Sequence, residues 1–248
     1  MKATILNEYE MDLTPPQEGD ETWFLDWVLR APKHAGDHLA CSYKTFDAIA
    51  SFYEEDILLG NITSVKEYFG GMGAHAMFAQ DLFTPSDHAV SDYSRSAVQH
   101  MQEVLPGNVR VTQADAYDAE TPWPADIVIL DFGDLTVFKA QQDQPRGILL
   151  DKVFAMKPNA VTITDIAARY LHLQKRSYEP LLGEGCCESY EEYLERFSSL
   201  LQARYGYTML QANYTRWSTV MAFVPAETGI DKGEFIKHTS SAPSLVIS

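Results

Sequence analysis

The chain has 248 residues, 46% of them hydrophobic, which is enough for one α/β unit with an accessory segment and too little for two full domains. Its formal charge of −16 and pI near 4.7 argue against an extended nucleic-acid-binding surface, because gripping a phosphate polymer takes clustered Lys and Arg. No stretch has the apolar length of a membrane span or the apolar run of a signal peptide, and Cys41, Cys186 and Cys187 make neither a disulfide framework nor a zinc site; a soluble, cytoplasmic chain with reduced thiols is expected.

Residues 1–64 stand apart by charge, with 12 acids against 4 bases, so half of the net negative charge lies there. Residues 14–20, rich in Pro, Gly and acids, read as a loop, and a helix is expected to open at Asp20. His34 and His38, with Asp37 between them, fall in a stretch interrupted by Pro32 and Gly36 that reads as a loop, without further ligands nearby; no metal site is assigned. Residues 43–53 then form an amphipathic helix with Phe46, Ile49, Ala50 and Tyr53 on one face, expected as a cap over a cleft.

The chain is organised around residues 65–76, where a short apolar run stops at Gly70, Gly71 and Gly73 and becomes helix-like. Such a strand-to-helix turn needs glycine where the backbone takes φ > 0 or approaches a ligand closely. Gly71-x-Gly73-x-x-Ala76 fits the dinucleotide-binding fingerprint. Glu67 just upstream fits it less well, since a carboxylate there would repel a pyrophosphate seated on the helix N-terminus. It suits instead a ligand with a cationic head.

Further acids recur at strand ends. Residues 88–92 read as a strand ending at Asp92, 19 residues past Gly73, where a ribose-binding carboxylate belongs. A helix cap is the competing role for Asp92, with Ser94 able to supply the cap instead. Tyr93 could lie along an adenine ring. Residues 109–116 alternate as a third strand ending at Asp115 and Ala116, and residues 126–131 form a buried fourth strand ending at Asp131, followed by Phe132, Gly133 and Asp134. Glu67, Asp92, Asp115 and Asp131 thus mark four successive strand ends. Residues 147–156 suit a helix, 160–165 a fifth strand, and 190–205 a long amphipathic helix. Residues 207–212 and 218–224 are strands joined too briefly for a helical crossover, so they must be antiparallel.

The turn Glu67-x-Phe69-x-Gly71-x-Gly73 resembles the first motif of the Rossmann-like (class I) S-adenosylmethionine-dependent methyltransferases, acidic-x-(Gly or Phe)-x-Gly-x-Gly. The resemblance covers residues 65–225. It implies an α/β fold with a mostly parallel sheet, a C-terminal antiparallel hairpin and helices on both faces. It leaves unmatched residues 1–64, expected as a mainly helical N-terminal cap, and residues 226–248, expected as a polar, loose tail. It further implies S-adenosylmethionine as cofactor, held by Glu67, Phe69, Gly71, Gly73, Asp92, Tyr93, Asp115, Ala116 and Asp131, and an acceptor oriented by Asp131 and Asp134. The Phe variant is similar to nucleic-acid enzymes. Yet after the fourth strand Asp131-Phe132-Gly133-Asp134 lacks the Pro-Pro-aromatic turn of base amino-methyltransferases, and no Pro-Cys pair stands there. A small-molecule or protein acceptor is therefore expected, with a nucleic-acid methyltransferase or a non-catalytic binding module as alternatives. Direct binding of duplex nucleic acid is not expected.

Overall fold

The continuous apolar run at residues 127–130, and the buried stretch at 160–164 beside it, lie in strands covered on both sides, and that requirement shapes the molecule. The computed structural model describes residues 32–71, 73–116, 124–131, 146–166, 189–214 and 218–241. Helices α1 (Pro32–Phe52) and α2 (Glu54–Leu58) precede β1 (Ser64–Tyr68), α3 (Ala74–Phe83), β2 (Asp87–Asp92), α4 (Arg95–Val104), β3 (Val109–Gln113) and β4 (Ile127–Asp131). Then come α5 (Arg146–Ala155), β5 (Ala160–Ile166), α6 (Tyr190–Tyr205), β6 (Tyr207–Tyr214), β7 (Ser218–Pro225) and α7 (Lys232–Ser241).

The seven strands lie in the order β3-β2-β1-β4-β5-β7-β6. β1 to β5 pair in parallel, whereas β7 runs antiparallel between β5 and β6. The expected hairpin is present. Strand order reverses between β1 and β4, so a crevice opens at their C-terminal ends.

Side chains two apart share a face, and the sheet sorts them strictly. Val128, Leu130, Val161, Ile163, Met221 and Phe223 join a core with Phe154 of α5 and Tyr193 and Phe197 of α6. Val65, Ile127, Ile129, Ala160, Ala222 and Val224 join the opposite core with Phe46 and Ile49 of α1, Phe83 of α3 and Phe235 of α7. Helix ends follow local chemistry. Ser94 Oγ accepts from Ala97 N at 3.3 Å to cap α4, Ser189 Oγ accepts from Glu192 N at 3.1 Å to cap α6, and Gly206 ends α6 at φ 75°.

Three expectations need correction. Residues 32–38 are the opening turns of α1 rather than a loop, because Pro is well suited to a first helical position and the single Gly36 is tolerated. β3 ends at Gln113, so Asp115 and Ala116 lie in the loop beyond it. The stretch expected as a loose tail carries a short 3₁₀ turn at Ala226–Thr228 and then α7, whose Phe235 is fully buried and packs 5.7 Å from the Phe52 ring. The helix expected at Asp20 lies outside the described residues. Among the described residues, no helix is long and apolar enough to cross a membrane.

Because the Phe235 ring fills the core under α1, Phe235→Ala should lower unfolding free energy by about 3–4 kcal/mol in urea titrations. A loss below about 1 kcal/mol would mean that α7 is not docked on the sheet.

Candidate functional site

β1 delivers its chain into the crevice through a turn that glycine makes possible. Phe69, Gly71 and Gly73 all have positive φ, at 64°, 52° and 77°. An L-residue in this conformation costs roughly 1–2 kcal/mol, and Phe69 bears that cost where the family motif allows glycine. Its ring packs against the core on the α5 and α6 side, which fixes the turn from below.

The three glycines do different things. A Cβ on Gly70 would fall 2.3 Å from Val90 Cγ1 and 2.7 Å from Met101 Sδ, so Gly70 is a packing glycine. One on Gly73 would press on Leu105 and Met101 at 3.2 Å, and Gly73 also caps α3. A Cβ on Gly71 would meet, among the described residues, only the Phe69 carbonyl oxygen, at 3.9 Å. Of the three, Gly71 is the one whose substitution meets open space among the described residues.

Asp92, at the end of β2, ties the turn down. Its Oδ2 accepts from Gly71 N at 2.9 Å and its Oδ1 from Ser94 N at 2.8 Å. Of the two roles weighed for it, the helix cap falls to Ser94 and the carboxylate faces the turn. Burial raises the Asp92 carboxyl, and the backbone N–H bonds from Gly71 and Ser94 oppose that rise. Tyr93, next along, is exposed and its carbonyl accepts from Gln113 Nε2 at 3.1 Å. Asp115 and Ala116 are half-buried beyond β3, held near by the bond from Ala114 N to the Asp92 carbonyl at 3.0 Å.

Glu67 and Asp131 lie on one face because β1 and β4 pair with Glu67 opposite Ile129. Glu67 is fully buried, and neither of its carboxylate oxygens has a hydrogen-bond partner among the described residues. Burial first, then the charges of Asp131 and Asp92, push its carboxyl well above the usual carboxylate range, with Lys66 opposing. Asp131 is 25% exposed and is the member of the pair that a ligand can reach. His75 of α3 stands between them, its Nδ1 3.4 Å from Asp131 Oδ2 and 3.9 Å from Glu67 Oε1. Sequence reasoning passed over His75. A polar ring in the first turn of the helix that follows the glycine turn was the available signal. Asp134 lies outside the described residues.

This crevice brings together Glu67, Gly71, Asp92 and Asp131, with Tyr93, Asp115 and Ala116 along the neighbouring edge. Sheet order, hairpin and glycine turn together define the fold of the class I S-adenosylmethionine-dependent methyltransferases. Comparison with solved structures agrees: the chain is similar to the plantazolicin methyltransferase BpumL in complex with a pentazolic desmethylPZN analog and SAH, at 11% identity and TM-score 0.55 over 83% of this chain and 93% of that one. It is also similar to magnesium protoporphyrin IX methyltransferase from Synechocystis, at 17% identity and TM-score 0.47 over 83% and 99%. A putative RNA methyltransferase from Pyrococcus horikoshii matches at 17% identity and TM-score 0.45 over 71% and 80%. No protein-family model and no curated protein matches the chain in sequence.

The buried acid makes a stability prediction whose sign is fixed by linkage. Unfolded, Glu67 loses its proton near pH 4.5, whereas the folded protein retains it to higher pH. Between those values the folded state binds the extra proton, so Glu67 lowers stability progressively as pH rises, with a slope of at most about 1.4 kcal/mol per pH unit. Glu67→Gln removes this titration. The melting temperature of the variant, relative to the unmodified protein, should therefore climb as pH rises above about 5. A difference that stays flat or falls would mean that Glu67 is ionised and satisfied in the fold.

Proposed function

We propose that the protein is an S-adenosylmethionine-dependent methyltransferase whose acceptor is a small molecule or a protein side chain. The observation that carries this reading is the pairing of Gly71, whose substitution meets open space among the described residues, with a buried acid cluster at the point where strand order reverses. A dinucleotide would set its pyrophosphate against the Asp131 carboxylate, with the buried Glu67 carboxyl behind it offering no compensating cation. The donor's ammonium and sulfonium suit the same place. Glu67, whose buried oxygens have no hydrogen-bond partner among the described residues, is a group of the kind that a cationic ligand satisfies.

In this reading Gly71 lets the nucleoside lie on the turn, and Asp92 faces the ribose. Tyr93 lies along the adenine, with Asp115 and Ala116 at its exocyclic amine. Phe69 and Gly73 shape the turn. Asp131 faces the cationic head and orients the acceptor's amine or hydroxyl, and Asp134 is assigned to the acceptor on its sequence position alone. When bound, the donor supplies an activated methyl for in-line displacement. The chain supplies alignment, which is a large part of what such a reaction needs.

Charge supports the acceptor class. Residues 65–248 hold 23 acids and 15 bases, so the chain remains acidic even without its head. A duplex would meet a repelling surface, and binding through a few lysines and arginines would weaken steeply with salt.

S-adenosylhomocysteine should raise the melting temperature, by the equivalent of about 2.7 kcal/mol at a hundredfold excess over its dissociation constant, and NAD should not. Stabilisation by NAD alone would overturn the reading. Gly71→Val should abolish the shift, because the added side chain occupies the space that Gly71 leaves open. Duplex DNA and RNA should bind negligibly at physiological salt. Sub-micromolar, salt-sensitive association would make a nucleic acid the better acceptor.

A further inference from the structure

His75 is the second residue of α3, and only 3% of it is exposed. Aromatic rings fix it, with the Phe46 centroid of α1 at 5.6 Å and the Phe78 centroid of α3 at 6.3 Å. Packing of this kind would suit a leucine better, since burying an imidazole forfeits hydration. What an apolar side chain could not supply is an N–H aimed at the acids. Burial pushes the ring below its ordinary value, with Asp131 opposing, so the imidazole is neutral at physiological pH and carries one proton for its two nitrogens. Nδ1 faces Asp131 Oδ2 at 3.4 Å and Glu67 Oε1 at 3.9 Å. A lone pair directed at the nearer, Asp131 carboxylate would be repelled, and Glu67 Oε1 is too distant to donate, so the proton belongs on Nδ1.

We propose that His75 is the positioning residue of the crevice: its Nδ1–H is donated to Asp131 and holds that carboxylate beside Glu67, turned toward the cationic head of the methyl donor. This rests on the methyl-donor reading above. The 3.4 Å separation is long for a hydrogen bond. Bonds of this type commonly tighten when ligand binds, and the Phe46 and Phe78 rings leave the imidazole little freedom to turn away. Because Phe46 belongs to α1, the same contact couples the helical cap to the acid edge.

Two measurements test this. On the unmodified, ligand-free protein at neutral pH, the imidazole nitrogen chemical shifts of His75 should report the Nδ1–H tautomer; the Nε2–H tautomer overturns the proposal, whether or not any variant folds. In calorimetric titration with S-adenosylhomocysteine, His75→Leu should weaken binding about tenfold or more, the order of one charge-assisted hydrogen bond. His75→Asn, whose amide nitrogen sits where Nδ1 does, should recover affinity to within about threefold. Combining His75→Leu with Asp131→Asn should weaken binding no further than Asp131→Asn alone. Equal losses in the Leu and Asn variants, an affinity unmoved by Leu, or additive losses in the double variant would overturn the positioning role and leave the methyl-donor reading standing. An unmodified protein that binds no S-adenosylhomocysteine would overturn that reading itself, and the positioning role with it.

Discussion

The crevice depends on the parallel pairing of β1 with β4 in one register. Side chains alternate along a strand, so a slip of one residue would turn Glu67 from the α3 side of the sheet into the core packed by α5 and α6. The register is pinned far from the acids. Asp126, just before β4, accepts through one oxygen from Thr63 N at 2.8 Å, Ser64 N at 2.9 Å and Ser64 Oγ at 2.8 Å. The Asp126 backbone N–H in turn donates to Ser64 Oγ at 2.9 Å. This latch at the N-terminal end of the two strands determines which face the acids share at the other end.

Several local rules of folding are broken at that edge. Phe69 adopts a conformation that favours glycine, Glu67 is a carboxyl buried without a hydrogen-bond partner among the described residues, and His75 is a polar ring among phenylalanines. Each lowers stability by an amount that the apolar cores on both faces offset. A binding site tolerates such costs, since a group already desolvated and aimed needs little rearrangement when its ligand arrives. Near the opposite end of the same strands, Tyr53 Oη donates to the Asn159 carbonyl at 2.7 Å and Tyr207 Oη to the Pro158 carbonyl.

Much of this was legible in the residues. The glycine turn, the acids at strand ends and the hairpin each reflect a short-range constraint, such as a positive φ, a carboxylate at a strand terminus or a connection too brief for a crossover, and short-range constraints leave marks in sequence. The start of α1 was obscured because Gly36 reads as a break when taken alone. α7 was missed because only Phe235 and Thr239 within it are buried, too few to make a periodic apolar pattern. His75 could not be assigned because its meaning comes from Glu67 and Asp131, which lie 8 residues before it and 56 after it and meet it only once the sheet has formed.

The account stands on the crevice at the ends of β1, β2 and β4 being the place where a methyl donor lies. A crystal structure of the protein grown with S-adenosylhomocysteine tests that most directly. The account requires the nucleoside to rest on Gly71, the ribose on Asp92 and the amino-acid end toward Asp131 and Glu67. Ligand density elsewhere on the sheet, or a crevice filled by the protein's own side chains while S-adenosylhomocysteine is in excess, would contradict it.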